Sequence, residues 1–342
     1  MKQTIKTILL TMVFSILLGI AVPAAEPAAA AIGKKNYTSL ESALAAVKKG
    51  QTIKLKNSIS LDQPLELKRN TKYTLDLNGK TLTFKNNGSN GDLVISKGTV
   101  TLKGGKVKGT VLVKQGARLD VKNGTYAQII NEGTTNLYNG KFSEKEDPAL
   151  VNVKGKMTIK KGTVRSNDYG LYMEGGTVEI TGGDFKNYDK NNRQPLLGVV
   201  KGSLTINGGK FQNNNCVLYN KGGKVSVKKG TLTSSKAFCV VNETSLTISG
   251  GTIKCTGSKV GECALFARKG STTQMKKGTV SGKKTAVFLE TGVSRFKLTG
   301  GKISNSSKDY PPVLVDEKKS SRVSVKTKYI STKCKLKIYY EG

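Results

Sequence analysis

A glycine that recurs about every 22 residues restricts the fold of this sequence more than any other feature. It lies within a unit in which apolar and polar residues alternate on either side, as in Thr205-Ile-Asn-Gly-Gly-Lys-Phe211 and Thr247-Ile-Ser-Gly-Gly-Thr-Ile253. The glycines of the series are Gly79, Gly105, Gly124, Gly140, Gly162, Gly183, Gly209, Gly230, Gly251, Gly278 and Gly301. Such a sustained period indicates a solenoid in which each repeat forms one coil.

Alternation on both sides of the glycine predicts two short strands joined at a tight corner. A third apolar piece precedes most units, as in Gly170-Leu-Tyr-Met173 and Cys239-Val-Val241, and predicts a third strand. We therefore predict an all-β fold, a single-stranded right-handed parallel β-helix of about 10–12 coils with an N-terminal capping helix. An antiparallel sandwich would explain the alternation but not a corner motif that recurs at a fixed position.

The first 31 residues are predicted to be a signal peptide. Lys2 and Lys6 precede the apolar stretch Thr7 to Val22, and the small-residue stretch Pro23 to Ala31 follows, with cleavage expected between Ala24 and Ala31. The apolar stretch is shorter than the roughly 20 residues that a spanning helix needs. We expect a secreted, extracellular protein that associates with the cell envelope and has no transmembrane anchor.

Both ends of a stack need covering, because exposed strand edges promote aggregation. Residues 32–50 are predicted to form an N-terminal capping helix. Thr38-Ser-Leu-Glu41 reads as a capping box, Leu40, Ala43, Leu44 and Val47 share one helical face, and Gly50 ends the helix. Residues 51–342 are predicted to form the β-helix, with a C-terminal cap from about residue 322.

The chain resembles the right-handed β-helix proteins of the pectin-lyase-like superfamily, especially the non-enzymatic secreted and surface proteins of Gram-positive bacteria. The resemblance rests on Gln51-Thr-Ile-Lys-Leu55, on Tyr73-Thr-Leu-Asp-Leu-Asn-Gly-Lys-Thr-Leu82 and on the serial Ile-x-Gly-Gly-x-Ile coils, and it covers about residues 36 to 340. It implies the fold but not the activity, since the superfamily holds lyases, hydrolases, adhesins and passive spacers.

The charge of the chain favours anionic partners. It has 57 Lys and Arg against 23 Asp and Glu, a formal net charge of +34, and only seven of the basic residues are Arg. Lys is a mobile, hydrated point charge, whereas Arg supplies the planar fork that reads a phosphate or carboxylate specifically. We expect association with an anionic polysaccharide, a cell-wall polymer such as teichoic acid, or non-specifically with nucleic acid such as extracellular DNA.

Nine lysines at the glycine corners are the candidate polyanion-binding residues. Three corners read Lys-Lys-Gly-Thr, and three others place Lys directly after Gly-Gly. The candidates are Lys160, Lys161, Lys228, Lys229, Lys276, Lys277, Lys106, Lys210 and Lys302. We expect them to form a basic strip along one corner of the stack. The alternative is that these lysines serve only to keep a repetitive β-protein soluble.

The chain contains no His, which excludes Ser-His, Cys-His and His-metal sites. Its acidic residues are scattered, and the tight groups are Glu144-Lys-Glu-Asp147, Asp184 with Asp189, and Asp316-Glu317. We predict no catalytic residue, no metal site and no cofactor. The main rival prediction is a lyase that cleaves a uronic-acid polymer with a Lys or Arg base and Ca²⁺, and the inserted loop Lys186 to Pro195 is where an unusual site would be expected. A third possibility is a structural spacer or adhesin stalk.

Cys216, Cys239 and Cys263 begin corresponding strands of three successive coils and are predicted to stack in a column. Neighbouring coils bring Cα atoms within disulfide range, so one bridge is feasible, but buried stacked thiols are the commoner outcome. Cys255 and Cys263 could instead close the loop between them. Since the count of five is odd, at least one thiol, such as Cys334, stays unpaired.

Overall fold

The computed structural model describes residues 28–85, 91–187 and 194–341. The protein is a right-handed, all-β parallel solenoid of about 13 turns with a period of about 22 residues. The predicted fold class is confirmed, and the stack is slightly longer than the predicted 10–12 coils. The first and last coils account for the difference, because their corners lack the glycine by which we counted repeats.

Three parallel sheets, A, B and C, run the length of the stack, and among the described residues each coil contributes one strand to each sheet. We number the coils 1 to 13 by their strands in sheet A. The strands that belong to sheet A alone are β3 (Thr52–Leu55), β6 (Lys72–Asp76), β9 (Thr99–Lys103), β11 (Arg118–Val121), β13 (Thr134–Leu137), β16 (Lys156–Ile159), β19 (Thr177–Ile180), β30 (Arg295–Leu298) and β33 (Val323–Val325).

The strands that belong to sheet B alone are β4 (Ile59–Leu61), β7 (Thr81–Phe84), β14 (Lys141–Glu144), β17 (Thr163–Ser166), β20 (Asp184–Asn187), β31 (Lys302–Asn305) and β34 (Ile330–Ser331). The strands that belong to sheet C alone are β5 (Leu65–Leu67), β8 (Leu93–Ile95), β15 (Leu150–Asn152), β18 (Leu171–Met173), β21 (Leu197–Val199), β23 (Leu218–Asn220), β25 (Phe238–Asn242), β27 (Cys263–Ala267), β29 (Val287–Leu289), β32 (Val313–Val315) and β35 (Ile338–Tyr340).

Six longer strands bend from one sheet into the next. Those that pass from sheet B into sheet C are β10 (Lys106–Val113) and β12 (Thr125–Asn131). Those that pass from sheet A into sheet B are β22 (Ser203–Asn213), β24 (Lys224–Ser234), β26 (Ser245–Cys255) and β28 (Thr272–Gly282). The bend lies at the glycine corner in these four strands, so the chain turns there without leaving the hydrogen-bonded ladder.

The core consists of apolar side chains stacked coil upon coil. In sheet A, Leu137 pairs with Ile159, Ile159 with Ile180 and Ile180 with Ile206, and these four side chains are at most 1% exposed. Period-2 alternation places every second side chain of a strand inside the prism. A slip of one residue would turn a whole apolar column outward, so the alternation in sequence fixes the register between coils.

The corner glycines form a column, as predicted. Gly209 has φ +98° and Gly230 has φ +92°, a region that favours glycine. A Cβ added to Gly230 would lie 2.9 Å from the carbonyl oxygen of Gly209 one coil above. Glycine is therefore needed at this corner both for the backbone conformation and for the close approach of the next coil.

The N-terminal end is covered by a hairpin and a short helix. β1 (Ala30–Ile32) pairs antiparallel with β2 (Lys35–Tyr37) and with β3, and α1 (Leu40–Ala46) contacts these strands. The predicted helix over 32–50 was too long, because residues 30–37 complete the edge of sheet A instead. Ala30 and Ala31, at the end of the range predicted for signal-peptide cleavage, are two of the three residues of β1.

The cap of α1 also differs from the prediction by one residue. The N-cap is Ser39, not Thr38, and its hydroxyl accepts a hydrogen bond from the backbone N–H of Ser42 at 3.1 Å. Starting the helix at Leu40 lets Leu40, Ala43 and Leu44 face the core together, and all three are buried. Packing of the apolar face thus decided where the helix begins.

The C-terminal segment, for which a cap from about residue 322 was predicted, forms a further coil of the stack. β33, β34 and β35 pair in parallel with β30, β31 and β32 of the coil before. A 3₁₀ turn, Thr327–Tyr329, replaces the glycine corner. No described strand or helix pairs with the outer edge of this thirteenth coil.

Buried asparagines tie sheet C to the turns that leave it. The side-chain amide of Asn152 donates to the carbonyl oxygens of Gly155 at 3.1 Å and Gly175 at 2.8 Å, and its oxygen accepts from Asn131 at 2.7 Å. Asn220 and Asn242 form a similar pair at 2.8 Å. Each amide donates to carbonyl groups of the turns at the end of a coil, so these buried polar groups are satisfied.

Candidate functional site: a basic strip along the glycine corner

The nine candidate lysines lie along one edge of the prism, the glycine corner between sheets A and B. The paired lysines occupy the corners of coils 6, 9 and 11, and the three single lysines begin the sheet B strands of coils 3, 8 and 12. All nine are exposed. We call these nine residues the basic strip.

The basic strip is free of salt bridges within residues 28–85, 91–187 and 194–341. The ion pairs of the described chain involve other residues, chiefly Arg118, Arg165 and Arg268. A lysine without an acidic neighbour keeps its charge available to an external anion. Exposed ammonium groups on one edge also sum to a positive potential along that edge.

Stacking does not bring one lysine pair onto another. Lys229 pairs with Asn207 of the preceding coil, and Lys277 pairs with Ser249. Like charges directly opposite in neighbouring strands are destabilising, so polar and Gly-Gly corners between the lysine pairs relieve the repulsion. Since coils 9 and 11 are two coils apart, their lysine pairs are separated by about 10 Å along the stack.

A tyrosine separates two lysines at the glycine corner. Tyr138 of coil 5 lies between Lys122 of coil 4 and Lys160 of coil 6, whose Nζ atoms are 3.4 Å and 4.7 Å from its ring centroid. Cation–π attraction stabilises both ammonium groups at this distance. Neither Lys122 nor Tyr138 was among the candidates. Each is the first residue after a sheet A strand, as Lys160 is in its coil.

One acidic side chain interrupts the described part of the column that holds Lys106, Lys210 and Lys302. Asp184 pairs in register with Lys210, and its carboxylate contacts the guanidinium of Arg165 one coil above. Arg165 also donates to the backbone carbonyl of Asp184 at 2.7 Å. The negative charge is thus balanced by a neighbouring Arg. The same column contains Lys141. It was not among the candidates because it follows Asn139-Gly140, whereas our motif required Gly-Gly before the lysine.

A groove with a volume of about 1210 Å³ lies beside the strip, where sheet B meets sheet C in coils 2 to 6. Its basic walls include Lys106, Lys108 and Lys141, and its acidic wall is the segment from Glu144 to Asp147, which rises from the end of β14. Coils 3 and 4 lack such a segment because β10 and β12 bend directly into sheet C. The groove therefore has mixed charge, unlike the strip.

Acidic residues concentrate on the far side of the prism, immediately after the sheet C strands. Glu132, Glu174, Glu243, Glu290 and Asp316 each follow the last residue of such a strand or of a strand that ends in sheet C. Their backbone N–H groups bond to the preceding coil in the same way, so they lie in one column. This acidic column lies away from the glycine corner, where Asp184 is paired with Arg165.

The most connected carboxylate of this column is Glu243. It accepts hydrogen bonds from the hydroxyl of Tyr219 at 2.8 Å and from Arg268 at 2.7 Å, and Arg268 lies 3.6 Å from Glu290. Burial, and then the bond to Glu243, raise the pKa of Tyr219. Burial alone would lower the pKa of Arg268, but its bond to Glu243 and the charge of Glu290 raise it. The cluster links four successive coils, 8 to 11, electrostatically.

The cysteines do not form the predicted column. Register pairs Phe238, not Cys239, with Cys263, so Cys239 lies one residue out of line. The entry loops of sheet C differ in length, which shifts the cysteines relative to the strands. All five cysteines are free. Burial raises the pKa of Cys216 to about 12 and also raises the pKa values of Cys239 and Cys263.

Of the tight acidic groups noted in the sequence, the pair Asp316-Glu317 makes hydrogen bonds within the fold. Asp316 and Glu317 accept hydrogen bonds from Thr291 and from the N–H of Gly292. Asp189 and most of the loop Lys186 to Pro195 lie outside the described residues. In the part of the chain that the structure describes, no three Asp, Glu or Cys side chains are arranged to hold a metal ion.

No helix among the described residues is long and apolar enough to span a membrane. Comparison of the chain with protein-family models, with curated proteins and with solved structures finds no match. The parallel β-solenoid is thus established by the structure alone, and the likeness to the pectin-lyase-like superfamily rests on the sequence motifs.

Proposed function

We propose that this chain is a secreted, non-catalytic β-solenoid protein of the pectin-lyase-like type that binds anionic polymers along the basic strip. The proposal places it outside the cell or at the cell envelope, with cell-wall polymers, acidic glycans or extracellular DNA as partners. The observation that carries it is the position of nine exposed lysines on one edge, with no salt bridge to any of them among the described residues.

The mechanism is counter-ion release. A regularly charged polymer that lies along the edge contacts successive ammonium groups and frees its condensed counter-ions, so affinity falls steeply with salt. Lysine side chains adjust individually to a partner, which suits polymers of differing repeat. The reach of the strip from coil 3 to coil 12 spans about 43 Å, and this length favours long polymers over single anions.

The test replaces the six paired lysines, Lys160, Lys161, Lys228, Lys229, Lys276 and Lys277, by Ser. Binding of poly(glycerol phosphate), polygalacturonate and DNA is measured over a range of salt concentrations. Loss of six phosphate contacts is expected to reduce the slope of log K against log salt by about 4 to 5.

The matched control removes the same charge from the turns between sheets C and A. This control variant replaces six exposed lysines by Ser: Lys97, Lys114, Lys154, Lys201, Lys221 and Lys269. The proposal predicts that the slope of log K against log salt falls much less in this control variant than in the strip variant. Equal losses in both variants, or binding that does not depend on salt, would contradict a localised strip. A chain that binds none of the polymers would instead favour a structural spacer or adhesin stalk.

A lyase is the second candidate, and the groove beside the strip is the observation in its favour. Glu144, Glu146, Asp147 and Glu174 line the groove together with Arg165. However, Arg165 is bonded to Asp184, and the described carboxylates do not group into a Ca²⁺ site. Incubation with polygalacturonate, alginate or glycosaminoglycans plus Ca²⁺ distinguishes the candidates, since a lyase releases unsaturated products and a binding protein does not.

A further inference from the structure

The outer face of sheet C is apolar, unlike that of sheet A. The middle residue of each sheet C stretch points outward, because the residues on either side of it face the core. From coil 2 to coil 13 the outward residues are Val94, Leu112, Ile130, Val151, Tyr172, Gly198, Tyr219, Val241, Phe266, Phe288, Leu314 and Tyr339. We call these residues the sheet C ladder. The outward residues at the middle of sheet A are polar instead, for example Thr158, Glu179 and Thr205.

The stacked aromatic rings of the ladder turn their edges outward. Phe266 lies between the rings of Phe238 and Phe288, whose centroids are 4.7 Å and 5.2 Å from its own. The ring of Phe266 is therefore covered on both sides within the chain, and a sugar, which stacks on the face of a ring, cannot stack there. A row of ring edges and aliphatic side chains instead suits an apolar protein surface.

The turns that leave sheet C carry a charge in every coil. In coil order, the charged residues at the first two positions after sheet C are Lys68 with Arg69, Lys97, Lys114, Glu132, Lys154, Glu174, Lys201, Lys221, Glu243, Arg268 with Lys269, Glu290, Asp316 with Glu317, and Glu341. This order of signs is antisymmetric about coil 7. Coil 6 is acidic where coil 8 is basic, coil 5 is basic where coil 9 is acidic, and so on to coil 1, which is basic, and coil 13, which is acidic.

A second copy that lies face to face, with its stack axis antiparallel, meets this order of charges with its opposite. A twofold axis at coil 7 and in the plane of contact brings the same turns of both copies together along one side, with coil 6 against coil 8 and coil 5 against coil 9. Glu174 then faces Lys221 of the partner subunit, and Lys154 faces Glu243 of the partner subunit. A shift of the second copy by one coil in either direction would set at least three pairs of like charges against each other.

The centre of the ladder fits the same twofold axis. Gly198 of coil 7 lies at this axis, and a Cβ added to it would lie 2.6 Å from the ring of Tyr169 and 3.2 Å from the ring of Tyr172. Two tyrosine rings thus pack beside the glycine, and Tyr219 is its neighbour in coil 8. Protein interfaces commonly concentrate their binding energy in such central, partly buried tyrosines.

The groove at coils 2 to 6 fits this arrangement as well. Its middle coil, coil 4, meets coil 10 of the second copy, whose entry loop, residues 256–262, carries Val260 with 68% of its side chain exposed. Coil 4 has no such loop, because β12 bends directly into sheet C. The loop of one copy therefore lies over the groove of the other, whose lining includes Ile130 and Val151. Val260 is then removed from water.

We propose that two copies of this chain form an antiparallel dimer through sheet C. The contact surface is about 53 Å long and, with the flanking turns, about 20 Å wide, so each copy buries about 1,000 Å², which is the size of a stable interface. The basic strip lies at the corner opposite sheet C. The dimer therefore places the two strips on its outer edges, where repulsion between them is screened and both stay open to a polymer.

The test measures self-association of the chain from residue 28 onward, which includes every described element, by sedimentation between about 1 and 100 μM. The wild-type chain is expected to dimerise in this range. Tyr172→Lys puts a charge near the centre of the interface from each copy and is expected to weaken dimerisation by about 100-fold. The matched control is Thr158→Lys, which adds the same charge in the same coil on the outer face of sheet A, and it is expected to leave dimerisation unchanged.

Charge reversal tests the register between the copies. Glu174→Lys alone and Lys221→Glu alone each set like charges against each other, so each is expected to weaken dimerisation by about tenfold. An equal mixture of the two variants restores opposite charges at both contacts and is expected to dimerise as the wild type does. Neither residue takes part in an ion pair within the part of the chain that the structure describes, so the comparison reports on contacts between copies.

Three results would overturn the proposal. The wild-type chain could stay monomeric up to about 100 μM. Equal weakening by Tyr172→Lys and Thr158→Lys would show that dimerisation does not use sheet C. A mixture of the charge-reversal variants that dimerises no better than either alone would exclude the register about coil 7.

The dimer and polymer binding are separable by experiment. The six-lysine strip variant is expected to dimerise normally, and Tyr172→Lys is expected to keep the salt dependence of polymer binding. The variant that lacks the six turn lysines is expected to dimerise weakly, because its acidic turns lose their opposite charges. Failure of one proposal therefore leaves the other standing, and circular dichroism of each variant confirms that the solenoid is intact.

Discussion

The glycine corner and the sheet C side of the prism are built by the same stacking, yet they differ in regularity. At the glycine corner, three residues join sheet A to sheet B in nine consecutive coils, from coil 4 to coil 12. The connections that enter sheet C range from two residues, Gly109-Thr110, to nine, between Asn187 and Leu197.

The constant corner turns a sequence repeat into a straight column, so lysines at equivalent positions line up without further selection. The variable connections shift residues relative to one another and produce local features instead, such as the groove wall after β14 and the out-of-line thiol of Cys239. Regular spacing favours binding of a repeating polymer, whereas irregular spacing favours a single local site. The predictions below test this difference.

The largest effect is expected from filling the glycine column. In Gly230→Ala the new Cβ meets the backbone of Gly209 and the residue must hold φ +92°, so we expect a loss of about 3 kcal/mol in the free energy of unfolding. Gly116→Ala is the control, since Gly116 has φ +83° but no atom within 4 Å of an added Cβ, and about 1 kcal/mol is expected. Urea unfolding measures both, and equal losses would mean that stacking contributes nothing.

On the sheet C side, Asn152→Ala removes the amide that holds two turn carbonyls and leaves Asn131 with one partner fewer. We expect a loss of about 2 kcal/mol, because buried polar groups become unsatisfied. Asn139→Ala, at the exposed glycine corner, is expected to change stability by less than about 0.5 kcal/mol. Urea unfolding measures both variants. Equal losses in the free energy of unfolding would contradict a structural role specific to the buried asparagines of sheet C.

The buried thiols should make stability fall at high pH. Burial holds the pKa of Cys239 above its value in the unfolded chain, so the thiol has no effect below about pH 9, and the folded state loses stability as pH rises further. At pH 10 this amounts to about 1 kcal/mol for one thiol. Cys239→Ala is expected to flatten the change in unfolding free energy between pH 8 and pH 10. Cys334→Ala controls for mere loss of a thiol, and an equal flattening there would argue against burial as the cause.

The smallest effect is expected at the acidic column. Glu243→Gln weakens the contact with Arg268, which is 44% exposed, so about 0.5 kcal/mol of stability is at stake. The sharper measurement is the pKa of Tyr219 by ring NMR. That pKa is raised by burial and by Glu243, so it should fall part of the way in Glu243→Gln and stay unchanged in Glu290→Gln. A fall in both variants would indicate a general field rather than a direct bond.

Much of the fold could be predicted from the sequence, because the repeat carries it. Positions such as Ile206, Gly209 and Phe211 keep the same spacing within each unit as Ile180, Gly183 and Phe185, and this constant unit under a period-2 pattern permits one register. The exposed positions of the strip lysines followed from the same repeat. What they bind is still a prediction, since an exposed charge does not specify its partner.

Other features could not be predicted, because they depend on contacts between residues without a repeat. Examples are the start of α1 at Leu40, the hairpin from Ala30 and the thirteenth coil. The helix start depends on packing against the core, and the other two depend on pairing with an edge strand of the neighbouring coil. The column expected for Cys216, Cys239 and Cys263 failed because residues were aligned by type, whereas hydrogen bonds in sheet C align them by strand position.

The sequence by itself determined the coil: its period, its glycine corner, its inward apolar positions and the basic edge. Only the tertiary structure decided which side chains meet between coils, such as Tyr138 with two lysines and Glu243 with Tyr219 and Arg268. The physical reason is that alternation and glycine act within one coil, where neighbours are close in sequence. Contacts between coils depend on the length of every intervening loop.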